Sequence, residues 1–318
     1  NFNENINGWI VSNVTDMKNM FWDAIKFNQD ISSWDISKIS SSNLGRSVAI
    51  SADGNRVAMG SLNNGNGCVK VLKFDNSSWT QLGNLIEDTY SDSGLLISMS
   101  DDGDRIIVGD RKGNVNVYEL NNTTWDKIGT NIDPDTTNTN MGRSVDISAN
   151  GNRIAIGTIV GTNGFVAVYE YSNNTWTQLG SNITGEIADD VFGTSISMSK
   201  DGNKIAIGTI WKVKVYEYSS NSWTQLGSDV MSTSTGIEAG HVVSLTADGD
   251  QVAVGGYGGY WAGKIWSGQD TVKVFKLDNT TWTQIGNSIE QTTWDYFGIS
   301  VSISADGNVL AAGGYKSA

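Results

Sequence analysis

The sequence predicts an all-β protein built from repeated four-stranded antiparallel sheets, and two observations lead to this prediction. The first is an Asp-Gly or Asn-Gly turn that recurs about every 50 residues, a period typical of propellers and solenoids. This turn begins at Asp53, Asp102, Asn150, Asp201, Asp248 and Asp306. The second observation is a Trp that opens a phrase close to "WTQLG" in the first five repeats. These residues are Trp79, Trp125, Trp176, Trp223 and Trp282.

Each repeat contains four strand candidates in a fixed order, and the fourth repeat shows them most clearly. They are "TSISMS" (Thr194–Ser199), "KIAIG" (Lys204–Gly208), "VKVYEY" (Val213–Tyr218) and "WTQLG" (Trp223–Gly227). Apolar and small polar residues alternate in the first, which is the two-residue period of a strand. Asp-Gly and Asn-rich turns suit tight hairpins between them. Four antiparallel strands per repeat predict a β-propeller of six or seven blades, with the recurring Trp packed between adjacent blades.

The sixth repeat is incomplete, because it ends at "VLAAGGYKSA" after its second strand. One interpretation is that residues before Asn43 supply the outer strands, since "SSW" at Ser32–Trp34 matches "SSW" at Ser77–Trp79. The other is that the propeller continues past Ala318. An open blade edge is a pairing hazard, so we expect something to cover it.

Residues 1–42 carry a different and shorter repeat. "FNENINGWIVSNV" (Phe2–Val14) aligns with "FNQDISSWDISKI" (Phe27–Ile39), and a short helical pattern lies between them. This stretch resembles the BspA-type leucine-rich repeats of microbial surface proteins. The resemblance implies a leucine-rich-repeat remnant or cap over residues 1–42, followed by the β-propeller over residues 43–318.

The long repeat resembles the FG-GAP repeats of integrin-α-type propellers. The resemblance rests on "FGTSISMSKDGNKIAIG" (Phe192–Gly208) and "FGISVSISADGNVLAAGG" (Phe297–Gly314) and covers Asn43–Ala318. Some blades of that family carry a calcium loop rich in alternating Asp. The turns here read "SADGN", "SDDGD" or "SKDGN" and lack the spaced carboxylates that calcium needs. We therefore expect no cofactor, with calcium as the one alternative.

Composition limits the partners. A net charge of −13 argues against binding nucleic acid, for which basic patches supply the affinity. Cys68 and His241 are each the only residue of their type, which argues against disulfides, Cys-based metal sites and His-based triads. No run is long and apolar enough to insert this segment directly into a membrane.

The connection between the second and third strands of the fifth repeat is the main candidate site. This loop, "GYGGYWAGKIWSGQD" (Gly256–Asp270), is the longest of its kind and combines Gly with aromatic residues. Such loops on a rigid scaffold suit stacking on sugar rings or capture of a peptide. The alternative is a loop that plugs the central tunnel or covers a neighbour. The candidate ligand-binding residues are Tyr257, Tyr260, Trp261, Trp266, Trp211 and Trp294.

Two further sets of residues are weaker candidates. Glu186, Asp189 and Asp190 cluster in one blade-to-blade connection, where they would bind a cation or form a solvated acidic loop. Sequons offer glycosylation sites if the chain is secreted by a eukaryote, although Asn is also common in turns. The sequon residues are Asn13, Asn76, Asn121, Asn122, Asn173, Asn182 and Asn279.

These features favour an extracellular or surface-displayed structural or adhesion module that contacts proteins or glycans, with self-assembly as a further form of contact. The sequence predicts that the chain is not an enzyme. A lectin-like propeller that binds carbohydrate through residues 256–270 is the alternative. A propeller glycosidase is the third hypothesis, for which Asp146 is the only carboxylate that stands out on the inner strands.

Overall fold

The computed structural model describes fourteen stretches of the chain. They are residues 47–63, 66–75, 77–91, 96–110, 114–132, 144–160, 163–185, 191–209, 212–232, 238–257, 260–261, 264–265, 270–291 and 297–314. The predicted leucine-rich-repeat segment, residues 1–42, and its boundary with the propeller lie outside these stretches.

The described chain divides into two compact units. One comprises the described residues up to Asn152 together with Tyr171–Trp176. The other comprises Arg153–Glu170 and the described residues from Thr177 onward.

The first unit contains two sheets. In each of them the first four strands pair with one another in the order in which they occur along the chain. The first sheet comprises β1 (Ser47–Ile50), β2 (Arg56–Asn63), β3 (Asn66–Asp75), β4 (Ser78–Gln81) and β5 (Ile86–Ser91), which also pairs with β3. The second comprises β6 (Leu96–Met99), β7 (Arg105–Gly109), β8 (Val115–Asn121) and β9 (Thr124–Ile132).

The third and fourth repeats have the same pattern with five strands each. The third comprises β10 (Ser144–Ile147), β11 (Arg153–Val160), β12 (Asn163–Ser172), β13 (Thr175–Gln178) and β14 (Ile183–Thr184). The fourth comprises β15 (Ser195–Met198), β16 (Lys204–Gly208), β17 (Lys212–Ser219), β18 (Ser222–Gln225) and β19 (Met231–Ser232). In the fourth sheet β15 to β18 pair in order, and β19 returns to pair with β17.

The fifth repeat is the one that departs from this pattern. Its strands are β20 (Glu238–Leu245), β21 (Gln251–Tyr257), β22 (Tyr260–Trp261), β23 (Lys264–Ile265), β24 (Asp270–Asp278) and β25 (Thr281–Gln291). The main sheet runs β20-β21-β24-β25, and β22 pairs with β23 as a separate two-stranded hairpin. In the sixth repeat the described strands are β26 (Ser300–Ile303) and β27 (Leu310–Gly313), which form a two-stranded sheet.

Apolar residues on neighbouring sheets form shared cores. In the first unit, Ile86 of the first sheet packs in one cluster with Ile97, Tyr118 and Trp125 of the second. In the second unit, Val230, just before β19 of the fourth sheet, clusters with residues of the fifth, including Phe275 and Trp282. In these clusters the apolar residues of the alternating pattern point towards the neighbouring sheet and form the core between the two sheets.

The all-β prediction is confirmed for the described residues, which contain strands and turns but no helix. Consequently no helix in these stretches is long and apolar enough to cross a membrane. One strand differs from the prediction. The alternating pattern of the fifth repeat, "VVSLT", predicts a first strand over Val242–Thr246. The strand β20 begins earlier, at Glu238, because a bulge between Glu238 and Val242 lets the pairing with β21 continue.

The recurring Asp-Gly turns owe their shape to a small set of hydrogen bonds. In the sixth repeat, the Ser304 hydroxyl donates to Asp306 Oδ1 at 2.6 Å, and the Asn308 backbone N–H donates to the same oxygen at 3.1 Å. The Ser304 hydroxyl also accepts the Val309 backbone N–H at 2.9 Å. The hydrogen bonds from Ser304 and Asn308 lower the pKa of Asp306 from 3.8 to about 2.

The contribution of Asp306 to stability should be lost in acid. Its pKa is lower in the folded state, so the stabilisation is present above about pH 4 and disappears as the pH falls towards about 2. The third repeat has Asn150 at this position, and its side-chain oxygen accepts the same two hydrogen bonds without titrating. We expect Asp306→Asn to retain the melting temperature near neutral pH and to flatten its fall between about pH 4 and pH 2.

Thermal unfolding at a series of pH values measures this effect. Glu290→Gln is the control, because it removes an exposed carboxylate outside the turns. Equal slopes for wild type and Asp306→Asn in this acid range would show that the turn carboxylate does not contribute to acid unfolding.

Candidate functional site

The recurring Trp residues belong to the scaffold, as the sequence predicted. Four of the five donate their indole N–H to a backbone carbonyl of the preceding repeat. The pairs are Trp125 with Leu82 (2.9 Å), Trp176 with Ile128 (3.3 Å), Trp223 with Leu179 (2.8 Å) and Trp282 with Leu226 (2.9 Å). Because these side chains are engaged between repeats, they do not form an exposed ladder for a ligand.

The Gly that follows the acceptor carbonyl completes this contact at Gly83, Gly129 and Gly180, whereas a Cβ built at Gly227 would meet the Thr280 carbonyl oxygen instead. Gly83 has a φ of 75°, and a Cβ built there would lie 2.7 Å from Trp125 Cδ1. The left-handed conformation bends the outer strand, and the missing side chain lets the indole approach the backbone. The phrase "WTQLG" and its variants therefore contain a Trp that packs on the repeat before it and, at Gly83, Gly129 and Gly180, a Gly on which the Trp of the next repeat packs.

The innermost strands are linked by Ser side chains, a feature that the sequence reasoning missed. Ser195 Oγ accepts the Val243 backbone N–H at 2.9 Å, and Ser197 Oγ accepts that of Leu245 at 3.0 Å. On another inner strand, Asp146 Oδ1 accepts a hydrogen bond from the Ser98 hydroxyl at 2.7 Å. The small polar residues that alternate along these strands thus connect neighbouring repeats.

Basic side chains join the turns of neighbouring repeats. Arg105 Nε donates to Glu119 Oε1 at 2.8 Å, and its guanidinium also bonds to Asn152 in the next turn. The same guanidinium carbon lies 5.0 Å from the centre of the Tyr171 ring. Arg153 repeats the arrangement with Glu170 and with Asn203. The Asp-Gly end of the sheets is therefore an ordered structural surface.

The other end of the strands carries the connections between the second and third strands, and a polar residue fixes several of them. In the second repeat Asp110 is fully buried, and its carboxylate accepts both the backbone N–H and the side-chain amide of Asn114 at 2.7 Å. In the fourth repeat Thr209 Oγ1 accepts the Lys212 backbone N–H at 2.9 Å. The residue after the strand-ending Gly is thus an acceptor that closes a short connection.

The fifth repeat lacks this closing residue, because Gly256 stands at the corresponding position. Its connection contains the inserted hairpin, in which Tyr260 pairs with Ile265 and Trp261 pairs with Lys264. Corresponding connections in the first and third repeats span only residues 64–65 and 161–162. The sequence showed the length and aromatic content of this loop but not that part of it is a hairpin.

Some predicted site residues lie within the described stretches and others do not. Tyr257 ends β21, where it pairs with Glu238, and the backbone of Tyr260 and Trp261 forms β22. Residues that lie outside the described stretches are Trp211, Trp266, Trp294, Glu186, Asp189 and Asp190. Among the residues that the structure describes, no group of three or more His, Cys, Asp or Glu side chains is placed to hold a metal ion.

The described sequon residues are all exposed. Asn122, Asn173 and Asn279 occupy the turns between third and fourth strands with positive φ values, a conformation that Asn tolerates. Asn121 ends β8, and Asn182 Oδ1 accepts a hydrogen bond from Gln178 at 2.6 Å. Asn13 and Asn76 lie outside the described residues, and glycosylation stays a prediction.

Comparison with known proteins separates the two parts of the chain. A family model described as "Mycoplasma protein of unknown function, DUF285" matches residues 1–47. This match includes the short repeat but does not test its resemblance to BspA-type repeats. No curated protein matches the sequence.

Solved structures match the propeller part at low identity. A Bacteroides uniformis protein provisionally named 6-phosphogluconolactonase has a TM-score of 0.59 and 17% identity, over 83% of this chain and 76% of its own. The β-propeller domain of Cps50 (Swd1) from Myceliophteria thermophila has a TM-score of 0.58 and 12% identity, over 86% and 80%. Kuenenia stuttgartiensis hydrazine synthase has a TM-score of 0.54 and 13% identity, over 84% and 72%.

These likenesses show the fold. Together with the antiparallel sheets, they confirm the predicted class, an all-β propeller of four-stranded blades with a sixth repeat of two described strands. At identities below 20% they carry no further information on ligands or activity.

The prediction that the chain is not an enzyme is contradicted by the same comparison, because the similar folds include the protein named as a lactonase. The physical reason for the error is the architecture. Catalytic residues on a propeller come from different blades and need form no motif along the chain, so a sequence without a visible triad does not exclude catalysis.

Proposed function

We propose that this chain is a surface-displayed adhesion module in which a rigid propeller presents the β22–β23 hairpin to a protein or glycan. The observation that carries the proposal is the hairpin itself. It replaces a short connection in the repeat that has Gly256 where the first four repeats have a polar residue. These polar residues are Ser61, Asp110, Thr158 and Thr209. A departure from an otherwise regular scaffold is where a specific function is expected.

The surroundings of the hairpin support a presenting role. The strands that flank it, β21 and β24, pair continuously from Gln251↔Lys276 to Gly256↔Thr271. Val252, Val254 and Val272 on these strands are buried. The hairpin is therefore attached to a well-packed sheet, which limits the entropy that a ligand contact would cost.

Resemblances of the sequence support the surface location. Residues 1–40 resemble BspA-type repeats and residues 43–318 resemble FG-GAP repeats, both of which occur in surface proteins. The acidic net charge of −13 is in keeping with a solvated exterior that does not bind nucleic acid.

Carbohydrate is the second candidate ligand, and the composition of the connection favours it. Tyr257, Tyr260, Trp261 and Trp266 lie within 14 consecutive residues, 257–270, of the sequence. Aromatic rings supply the apolar faces on which sugar rings stack, and the intervening Gly residues let such rings approach the backbone.

Replacing residues 258–269 with the dipeptide Asn-Gly, which forms the corresponding connection in the first repeat, should abolish binding. We expect the Trp261→Ala, Trp266→Ala double variant to weaken binding at least tenfold, which corresponds to about 1.4 kcal/mol. Binding is measured on immobilised glycans and on a panel of purified surface proteins. The melting temperature of each variant reports whether the propeller is still folded.

Thr281→Ala is the matched control, because Thr281 is exposed at the start of β25, where it pairs with Asp278 at the end of β24 that lies away from the hairpin. It should bind as wild type does. If the folded dipeptide variant binds as wild type does, the hairpin has no role in binding. If this variant loses binding to glycans but not to the surface proteins, the site binds carbohydrate.

A further inference from the structure

The Asp-Gly turn of the fifth repeat differs from most of the others in the residue that follows its Gly. This position holds Asn in four of the six turns; these residues are Asn55, Asn152, Asn203 and Asn308. In the first, fourth and sixth turns the side-chain amide of this Asn donates a hydrogen bond to the turn Asp, at 3.1, 2.8 and 3.0 Å. The fifth turn has Asp250 here, so a carboxyl group takes the place of the donating amide.

Asp250 contacts the other carboxyl group of its own turn, Asp248. The two side chains lie within hydrogen-bonding distance, and the Asp250 backbone N–H donates to Asp248 Oδ1 at 3.2 Å. The Thr246 hydroxyl donates to the same oxygen at 2.7 Å. Two carboxylates have no hydrogen to share, so a hydrogen bond between these side chains forms only when one of them is protonated. The geometry of this turn therefore favours a bound proton.

The neighbouring repeat does not satisfy Asp250 in the way that it satisfies the equivalent residue of the second turn. There Asp104 accepts a hydrogen bond from Arg56 of the preceding repeat. The fifth turn receives Lys204 instead, and its Nζ donates to the backbone carbonyl of Asp248 at 2.8 Å. Asp250 Oδ1 is buried and accepts no hydrogen bond from any residue that the structure describes. A buried carboxylate oxygen without a donor favours the neutral form of the acid.

The charged groups that face Asp250 act in both directions. Burial, the hydrogen bond with Asp248 and the negative charge of Asp248 raise the pKa of Asp250, against the opposing charges of Lys276 on β24 and Lys204 on β16. Burial also acts to raise the pKa of Asp248, but hydrogen bonds from Thr246 and Asp250 lower it. The pair therefore releases one proton at a lower pH than an ordinary Asp does and the other at a higher pH.

This turn is part of the contact between the fourth and fifth repeats. The Lys204 side chain packs on it so closely that a Cβ built at Gly249 would lie 2.7 Å from Lys204 Cδ. The backbone N–H of Lys200 in the fourth turn donates to the carbonyl of Ala247 at 3.0 Å. Glu217 lies opposite Lys204 in the fourth sheet. A change of charge in the fifth turn therefore acts on residues that join the two repeats.

We propose that Asp248 and Asp250 form a pH-sensitive switch in the contact between the fourth and fifth repeats. While the two carboxyl groups share one proton, Asp250 donates to Asp248 as Asn203 donates to Asp201. Loss of that proton leaves two carboxylates in contact, and their repulsion loosens the turn on which Lys204 packs. The fifth repeat is therefore held more firmly at acidic pH than at pH 7. This switch is independent of the binding role proposed for the β22–β23 hairpin.

The Asp250→Asn variant tests the switch, because it supplies the amide that the Asn-containing turns have at this position. The pKa of Asp250 is higher in the folded chain, so its stabilisation is present below about pH 4 and is lost as the pH rises through the folded value. We expect the variant to melt about 2–4 °C above wild type at pH 7. The difference should shrink towards about pH 4 in thermal unfolding at a series of pH values.

Asp104→Asn is the matched control. It changes the same turn position, but there Arg56 donates to the side chain, so this variant should not melt above wild type at pH 7. Carbon-13 NMR of wild type labelled at the Asp carboxyl carbons follows the proton directly, with the Asp250 signal assigned by its absence from Asp250→Asn. The proposal is overturned if this signal titrates at or below the ordinary range of Asp, or if a folded Asp250→Asn variant melts no higher than wild type at pH 7. Should the variant not fold, the titration in wild type decides alone.

Discussion

Replacing Trp125 by alanine is expected to lower the free energy of unfolding by about 3–5 kcal/mol, the cost typical of a buried Trp. Its side chain is 4% exposed and packs with Ile86, Val108 and Tyr118 between two sheets. The substitution opens a cavity in this cluster and also leaves the Leu82 carbonyl without its indole donor. Urea unfolding followed by circular dichroism measures the loss.

Two further variants resolve this cost into its parts. Trp125→Phe keeps most of the apolar volume but removes the N–H, so about 1–3 kcal/mol should be lost for the unsatisfied carbonyl. Thr130→Ala, at an exposed position on the same strand, should change stability by no more than about 0.5 kcal/mol. A loss below about 1 kcal/mol for Trp125→Ala would mean that the indole does not hold neighbouring sheets together.

The order of the strands and the position of the recurring Trp could be predicted from the sequence because both are local patterns. Alternation defines a strand within a few residues, and Asp-Gly marks the turn that follows. The phrase from Trp223 to Gly227 therefore predicts an outer strand correctly, and its repetition predicts the packing between blades.

The individual hydrogen bonds and close contacts between repeats could not be predicted in the same way, since they join residues about 50 positions apart. In the sequence, Ser195 is only one of the small polar residues that alternate along a strand. In the structure its hydroxyl oxygen accepts a hydrogen bond from the backbone N–H of Val243 in the next repeat. Gly286 has nearly the same sequence context as Gly83, and only the structure shows that Trp125 packs on Gly83, whereas no described residue lies within 4 Å of a Cβ built at Gly286.

The position of the candidate site could be predicted from the sequence, but its structure could not. The length of the connection at 256–270 identified the exceptional repeat. Its pairing, Tyr260 with Ile265 and Trp261 with Lys264, depends on a register that a Gly-rich stretch specifies only weakly. The hydrogen bonds by which Asp110 and Thr209 close the short connections of the second and fourth repeats are visible only when side-chain contacts are known.

The contact between Gly and Trp can be separated from the conformational cost of the turn by comparing Gly83→Ala with Gly286→Ala. Both Gly residues have left-handed φ values, 75° and 69°, so alanine should cost about 1–2 kcal/mol at either position. At Gly83 the added Cβ would also lie 2.7 Å from Trp125 Cδ1. Overpacking should add about 1–3 kcal/mol there, and nothing at Gly286.

A double-mutant cycle tests whether this excess belongs to the indole. In the Trp125→Ala background the obstructing ring is gone, so Gly83→Ala should cost no more than Gly286→Ala does in the wild-type chain. Urea unfolding of the four variants gives the coupling free energy. Equal costs for Gly83→Ala with and without Trp125 would show that the strand at this Gly is constrained by its own backbone. A large coupling would instead mean that the contact with Trp125 is what requires Gly at position 83.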